Sequence, residues 1–260
     1  METKYLLAQQ WVRQAGAVLR ERLGQELLVE EKADFRDLVT NLDRDIQEFL
    51  TKEIHSHYPS DTVMGEESVE QPAYDEGAVW IVDPIDGTTN LIVQQADFAV
   101  LLAYFEEGIG QFGLLYDVMQ DRLIHGGVSF PVCLNDQPLH SPLLPSLQRS
   151  LLGLNATLYA SNYGGLADLA DQTLGTRSVG SAGIGFSHVL TGRLLAYASY
   201  LSPWDYAAAL VVAPLLGYTL QTLSGDVPRF SGREHVILLP LAHKEEIQGY
   251  LDKCSYQENL

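Results

Sequence analysis

The stretch VWIVDPIDGTTNLI, residues 79 to 92, sets two carboxylates three positions apart at the end of an apolar run. The run reads as a buried strand with Asp83 at its end. Pro84 confines Asp83 to extended backbone and begins a turn that can bring Asp86 round beside it, both carboxylates facing one point. Gly87 lets another group approach the backbone, and Thr88, Thr89 and Asn90 can open a helical turn whose N–H groups attract an anion. A plain turn with Asp86 or Thr88 as helix cap explains one carboxylate and leaves the other beside a buried strand with no cation near it. Two hard oxygen ligands next to an anion-binding turn suit Mg²⁺ holding a phosphate.

Two further acidic points fall in similar settings. VMGEES puts Glu66 and Glu67 after another apolar strand and a glycine. SPWDYAAAL puts Asp205 at the start of a very apolar helix, where the helix dipole alone would favour an acid. Other motif-like features carry less. Gly108, Gly110 and Gly113 in GIGQFG match the spacing of a dinucleotide-binding loop, the one hint of a nicotinamide-dependent oxidoreductase. The LLYD that follows reads as strand where that fingerprint requires helix, so a hairpin is expected instead. His55 and His57 in HSHY have no cluster of partner ligands beside them and read as a solvated helix end. GSAGIG, beginning at Gly180, lacks the Lys-Ser/Thr of a phosphate-binding P-loop and reads as a strand-to-helix turn.

These residues need a scaffold, and the composition allows one. The chain has 260 residues, 46% hydrophobic, enough for a sizeable core in one large domain or two joined lobes. Sixteen basic residues against 34 acidic ones give a net charge of −18, which disfavours nucleic acid and anionic membranes as partners. The same charge makes an unaided site for an anionic substrate improbable. Cys133 and Cys254 form no CxxC pair, so a reducing cytoplasm is expected. The first residues carry charges early and no long apolar core, which is unlike a signal peptide. The longest apolar run, residues 207 to 218, is too short to span a bilayer and is broken by Pro214.

Periodicity predicts helices near 3–23 and 42–55, with strands at DTVMG, AVWIVD, FAVLLAYFE, QFGLLYD and DRLIHGG, a mostly antiparallel sheet. After QPLHSPLLPSLQ the rhythm changes to alternating strands and helices. Strands are expected at SLLGLNA, TRSV, RLLAYASY, 219–223 and HVILLP. Helices are expected near 164–174 and 183–191, from 204, and at the end of the chain. The plan is α+β turning into α/β, with an N-terminal lobe over 1–134 carrying most ligands and a C-terminal lobe over 135–260 completing the pocket.

Five segments taken together resemble the inositol monophosphatase family: DLVTNLD (37–43), GEES (65–68), WIVDPIDGTTN (80–90), RSVGSAG (177–183) and WD (204–205). They occur in the family's order and spread over most of the chain. The resemblance implies a Mg²⁺-dependent phosphomonoesterase with a layered αβαβα sandwich of the sugar-phosphatase type, commonly dimeric and often inhibited by lithium. By position, it implies that Glu66 and Asp83 bind a first metal with the carbonyl of Ile85, and that Asp83, Asp86 and Asp205 share a second. Glu66 would also contact a third, weaker ion. Gly87 and Thr88 would offer backbone N–H groups to the phosphate, while Asp43 would pair with Thr88 to activate the attacking water. Ser181 and Ala182 would face the substrate, as would Asp86 and Asp205. Lys32, five residues before Asp37, stands where the family often has a lysine; a solvated loop lysine is the other reading.

The physical chemistry agrees with these implied roles. Four carboxylates would repel a phosphate dianion, and two or three Mg²⁺ reverse that field. Where inositol-preferring members place a sugar-binding glutamate, seven residues before the WD aspartate, this chain has Ala198, which cannot accept a hydroxyl hydrogen bond. The preferred small phosphorylated metabolite therefore stays open. A nucleotide 3′-phosphatase, fructose-1,6-bisphosphatase or NADP phosphatase of the same fold is the alternative, although no arginine-rich cluster for a second phosphate stands out beside the motifs. A non-catalytic metal- or phosphate-binding regulator is the alternative from another class. It would be expected to lose Asp43, Thr88 or Glu66, and all three are present.

Overall fold

A computed structural model describes residues 1–25, 27–31, 38–68 and 71–255. Helix α1 (Glu2–Arg22) buries Tyr5, Ala8, Trp11, Val12, Ala15 and Leu19. These recur at steps of three and four, which gives one apolar stripe. A short antiparallel pair, β1 (Val29–Glu31) and β2 (Leu38–Thr40), leads into α2 (Asn41–His57). Leu42, Ile46, Leu50 and Ile54 line the buried side of α2, and His55 and His57 lie exposed at its end, as expected.

Both helical stripes cover one face of a seven-stranded sheet built from β3 (Thr62–Gly65), β4 (Ala78–Asp86) and, beyond the short helix α3 (Thr88–Gln94), five more strands. Those are β5 (Ala99–Glu106), β6 (Ile109–Asp117), β7 (Arg122–Gly127), β8 (Phe130–Leu134) and β9 (Gln137–Pro138), adjacent in chain order. β3 and β4 are parallel and every later neighbour is antiparallel. Side chains alternate between its two faces along the regular stretches. Trp80, Val82, Val100, Leu102 and Tyr104 join the core under α1 and α2, while Val79, Ile81, Ala99, Leu101 and Ala103 face the other way.

The remainder of the chain adds β10 (Leu152–Leu154), α4 (Ala156–Ala160), α5 (Leu166–Ala170), β11 (Thr176–Arg177), α6 (Ala182–Leu190), β12 (Ala196–Leu201) and α7 (Pro203–Val212). It ends with β13 (Tyr218–Thr222), β14 (Glu234–Pro240) and α8 (Lys244–Ser255). Its five strands form a mixed sheet in the order β11-β10-β12-β14-β13. Helices α6 and α7 are apolar on nearly every side because they lie between the two sheets, in a core shared by Ala99, Leu101, Phe186, Val189, Tyr206, Val212 and Leu238. Leu158, Leu166, Leu169, Ile247 and Leu251 of α4, α5 and α8 close the outer face of the second sheet. Three separate cores thus bind five layers, αβαβα.

GIGQFG is the tip and returning strand of the β5–β6 hairpin, not a dinucleotide loop. A methyl group on Gly113 would overlap the Ala208 carbonyl, so the glycine lets α7 lie directly on the sheet and carry Asp205 to the end of β4. Helix α7 ends at Val212 within the apolar run, where a 3₁₀ turn containing Pro214 takes over. Among the described residues no helix is long and apolar enough to cross a membrane.

Candidate active site

The two motif aspartates are brought together by a bulge, not by a turn at Pro84. Strand β4 runs on to Asp86, with Asp83 paired to Leu101 and Asp86 to Ala99, so three steps along β4 match two along β5. In a regular strand, positions three apart point to opposite faces. The extra residue puts both carboxylates on the face toward α6 and α7, and Pro84, with no N–H to give, sits where the ladder is broken.

Helix α7 delivers the third carboxylate. Oxygens of Asp83, Asp86 and Asp205 all lie within 4.8 Å of one another. Each is held from behind by a different element. Asp86 accepts from Ser181 Oγ at 2.5 Å, the Ala182 amide at 2.9 Å and the Gly183 amide at 2.6 Å, all at the start of α6. Asp205 accepts from the Ser202 amide at 2.7 Å. Asp83 Oδ1 accepts from the Ile85 amide at 3.1 Å, while its Oδ2 is buried with no donor among the described residues.

Three like charges at this spacing repel by about 3 kcal/mol per pair at an effective dielectric near 20. Burial, and then the charges of Glu66, Asp86 and Asp205, push the Asp83 carboxyl well above the ordinary range. Asp205 is pushed up to about 7 by burial and the Asp86 charge. Burial raises Asp86 too, against the pull of its Ser181, Gly183 and Ala182 donors. An orphaned carboxylate oxygen within a tight all-oxygen cluster is the arrangement that a hard divalent cation relieves, so these residues fit Mg²⁺.

Beside the trio, Asp43 is 1% exposed in the first turn of α2. Its Oδ2 accepts from the Thr40 amide at 2.8 Å and the Thr40 hydroxyl at 2.6 Å, and its Oδ1 from the Thr88 hydroxyl at 2.9 Å. The one proton of that hydroxyl also has the Ile85 carbonyl within 3.1 Å. Burial raises the Asp43 carboxyl, opposed by the two threonines. Thr40 was not foreseen as a site residue; its signal is the T-x-x-D capping box at the start of α2. Glu66 follows β3, with its amide on the Val82 carbonyl at 3.2 Å, and lines the cleft just outside the trio.

The structure departs from the sequence expectations at several further points. The cap of α3 is Gly87, at φ 95°, and neither Asp86 nor Thr88; this left-handed backbone is why a glycine stands there. The Ser181 hydroxyl and the Ala182 amide are turned to Asp86, and neither residue is among those lining the cleft. Arginines are present at the site after all. The cleft over the carboxylates, about 1050 Å³, has Gly87, Thr88 and Asp205 in its walls together with Arg229 and Arg233 from the β13–β14 connection. They escaped the sequence reading because they lie far along the chain from every motif. Lys32 falls outside the described residues. Ala198 is buried against the outer core with Leu154 and Ile237, on the opposite face of β12 from Tyr197 and Leu201. Its side chain therefore points away from the inner face of β12, on which Ser199 is its neighbour.

An αβαβα sandwich with buried aspartates at a strand bulge, open to one deep cleft, belongs to the class of sugar-phosphatase folds. Within that class, the inositol monophosphatase family profile matches residues 1–256, and the chain belongs to that family. It is accordingly a phosphoric monoester hydrolase. The inositol-1-monophosphatase of Bacillus subtilis is 37% identical over 254 residues, covering 94% of this chain and 95% of that one. Staphylococcal IMPase-II superposes with a TM-score of 0.86 at 30% identity, covering 96% of this chain and 94% of that one. A dual IMPase/NADP phosphatase, solved with Mg²⁺ and phosphate, superposes with a TM-score of 0.87 at 28% identity, covering 96% and 95%.

Proposed function

We propose that the protein hydrolyses a small phosphomonoester in a Mg²⁺-dependent reaction, with water attacking phosphorus in line and no phosphoenzyme formed. The observation that carries this reading is the buried trio with its orphaned Asp83 Oδ2. Asp83, Asp86, Asp205, Glu66 and the Ile85 carbonyl would hold two or three ions. When bound, Mg²⁺ supplies charge that offsets the carboxylates, lowers the pKa of water and polarises the phosphoryl oxygens.

The chain's own groups do the rest. Thr88 Oγ1 orients the attacking water and takes its proton while passing its own to Asp43 Oδ1, already 2.9 Å away. Burial of Asp43 makes it a stronger base than an exposed carboxylate, and Thr40 holds its other oxygen so that Oδ1 faces Thr88. The amides of Gly87 and Thr88, at the start of α3, lack partners within the helix and suit a phosphate oxygen. The lobes 1–134 and 135–260 act as one unit in this scheme. A homodimer, a cytoplasmic setting and inhibition by lithium belong to the same reading.

The test is phosphate release from inositol 1-phosphate, glycerol 2-phosphate, fructose 1,6-bisphosphate, 3′-phosphoadenosine 5′-phosphate and NADP, with Mg²⁺ and with excess chelator. Turnover of at least one ester that chelator abolishes is expected. A folded, Mg²⁺-binding protein inert to all five would instead support the regulator reading. Arg229, exposed in the cleft wall, gives the bisphosphate and nucleotide alternatives more support than the sequence did.

A further inference from the structure

We propose that Asn90, the last residue of the DGTTN segment, is a positioning residue for the reaction. It fixes helix α3 against the start of α6, so that the Thr88 hydroxyl stays on Asp43. The inference rests on the reading of Thr88 and Asp43 as a proton relay. No binding or catalytic role described above uses Asn90, yet it is 4% exposed in a helix that buries one other side chain, Leu91.

Helix α3 needs such a hold. Its 7 residues are too few to persist as a helix on their own hydrogen bonds. No side chain caps its first turn, and left-handed residues close both ends, Gly87 at φ 95° and Gln95 at φ 54°. Its two buried side chains anchor it to different halves of the chain. Leu91 enters the core beneath α1 and α2. Asn90 reaches across: its Nδ2 donates to the Val179 carbonyl at 2.9 Å, ahead of α6, and to the Asp97 carbonyl at 2.8 Å, ahead of β5. The Gln94 side-chain amide donates to its Oδ1 at 3.2 Å. One buried amide thus ties α3, the turn before β5 and the approach to α6 together.

Chemistry sets the orientation of that amide. Two backbone carbonyls only accept, so the nitrogen must face them, and both of its protons are used. An aspartate of the same shape offers neither. The backbone is shaped around the contact. A methyl group on Gly180, at φ 81°, would lie 2.8 Å from Asn90 Oδ1, and one on Gly87 would lie 3.0 Å from Ser181 Cβ. The starts of α3 and α6 therefore touch, with Asn90 across the seam. On one side of it Thr88 holds its hydroxyl 2.9 Å from Asp43. On the other, Ser181, Ala182 and Gly183 hold Asp86 with their own donors. A drift of about 1 Å in a reacting group is enough to cost about a hundredfold in rate.

The experiment measures kcat, KM and calorimetric Mg²⁺ affinity for Asn90→Ala, made in the wild type and in Thr88→Ala, with the ester that the wild type hydrolyses best. In the wild type the substitution should lower kcat about tenfold to a hundredfold, with KM and Mg²⁺ affinity changed by less than about threefold, because Asp86 keeps its own donors. In Thr88→Ala it should cost less than about threefold more, since the hydroxyl it positions is already gone. Asn90→Asp, which turns an oxygen on two carbonyl oxygens, should lose at least as much as Asn90→Ala. Asn90→Ser keeps one donor and should recover part of the rate; it replaces Asn90→Ala throughout if that variant does not fold. Equal losses in both backgrounds, Mg²⁺ affinity falling in step with kcat, or unfolding of both variants would show a general structural role. Each overturns the inference and leaves the phosphomonoesterase reading intact. A wild type inert to every ester overturns that reading and the inference with it.

Discussion

Asp83→Asn should reduce Mg²⁺-dependent phosphate release by about a thousandfold or more while raising the melting temperature of the metal-free protein. The two effects have one cause. Asp83 is 1% exposed, its Oδ2 has no donor, and Asp86 and Asp205 crowd it within 4.8 Å. Asparagine keeps the shape, removes one charge from the repulsion and supplies an N–H that a neighbouring carboxylate can accept. Relief of one to three kcal/mol in a chain of this length corresponds to a rise of about 3–8 °C. The same substitution removes the oxygen charge best placed to bind a cation, and a loss of several kcal/mol of transition-state stabilisation is about a thousandfold in rate. Phosphate release and thermal unfolding measured on the same preparations decide the matter. A structural carboxylate would behave oppositely, with activity kept and stability lost.

Thr88→Ala and Asp43→Asn should each lower kcat by about 10² to 10⁴ with KM changed little, because their proposed task is moving a proton in the transition state. Thr88 has one hydroxyl proton, and Asp43 Oδ1 takes it at 2.9 Å. Without the hydroxyl, Asp43 has no path to the water; without the carboxylate, the hydroxyl has no acceptor stronger than the Ile85 carbonyl at 3.1 Å. The double variant should therefore be scarcely worse than the worse single one, as expected of residues that act as a unit. Thr88→Ser should recover most of the rate. Losses that multiply, or that fall on KM, would show two independent binding contacts instead of a relay.

Most of the layered fold was legible because its helices and strands repeat apolar residues at clear periods. Tyr5 through Leu19 read as a helix, and Val79 through Val82 as a strand, on spacing alone. The short strands β8 and β9 escaped because each holds a proline and hardly any alternation. At the site, residue type and position were readable, but direction was not. Whether Asp83 and Asp86 meet depends on a register shift against β5, a property of the pairing and not of either segment. Ser181 and Ala182 were expected to face the substrate; that they reach Asp86 instead of another carboxylate depends on how α6 docks between the sheets. The face that Ala198 takes was unreadable for a similar reason, since one step along β12 exchanges the inner face for the outer one. Arg229 and Arg233 carry no local pattern; only the β13–β14 connection brings them back to the cleft.

The measurement that tests the carboxylate site most directly is the melting temperature of the metal-free protein, with and without saturating Mg²⁺, at pH 7.5 and at pH 5. Asp83, Asp86 and Asp205 all have folded pKa values raised above the unfolded carboxylate value near 4, with Asp205 at about 7. The folded state then binds more protons than the unfolded one over that interval, so the stability these groups contribute is complete below pH 4 and is lost as pH rises through the folded values. Without Mg²⁺ the protein should accordingly melt lower at pH 7.5 than these groups allow at pH 5. Mg²⁺ at about a hundred times its dissociation constant should restore about 5–10 °C at pH 7.5 and much less at pH 5, where protons occupy the same oxygens. An equal shift at both pH values, or one that survives Asp83→Asn, would place the ion somewhere other than this trio and contradict the account.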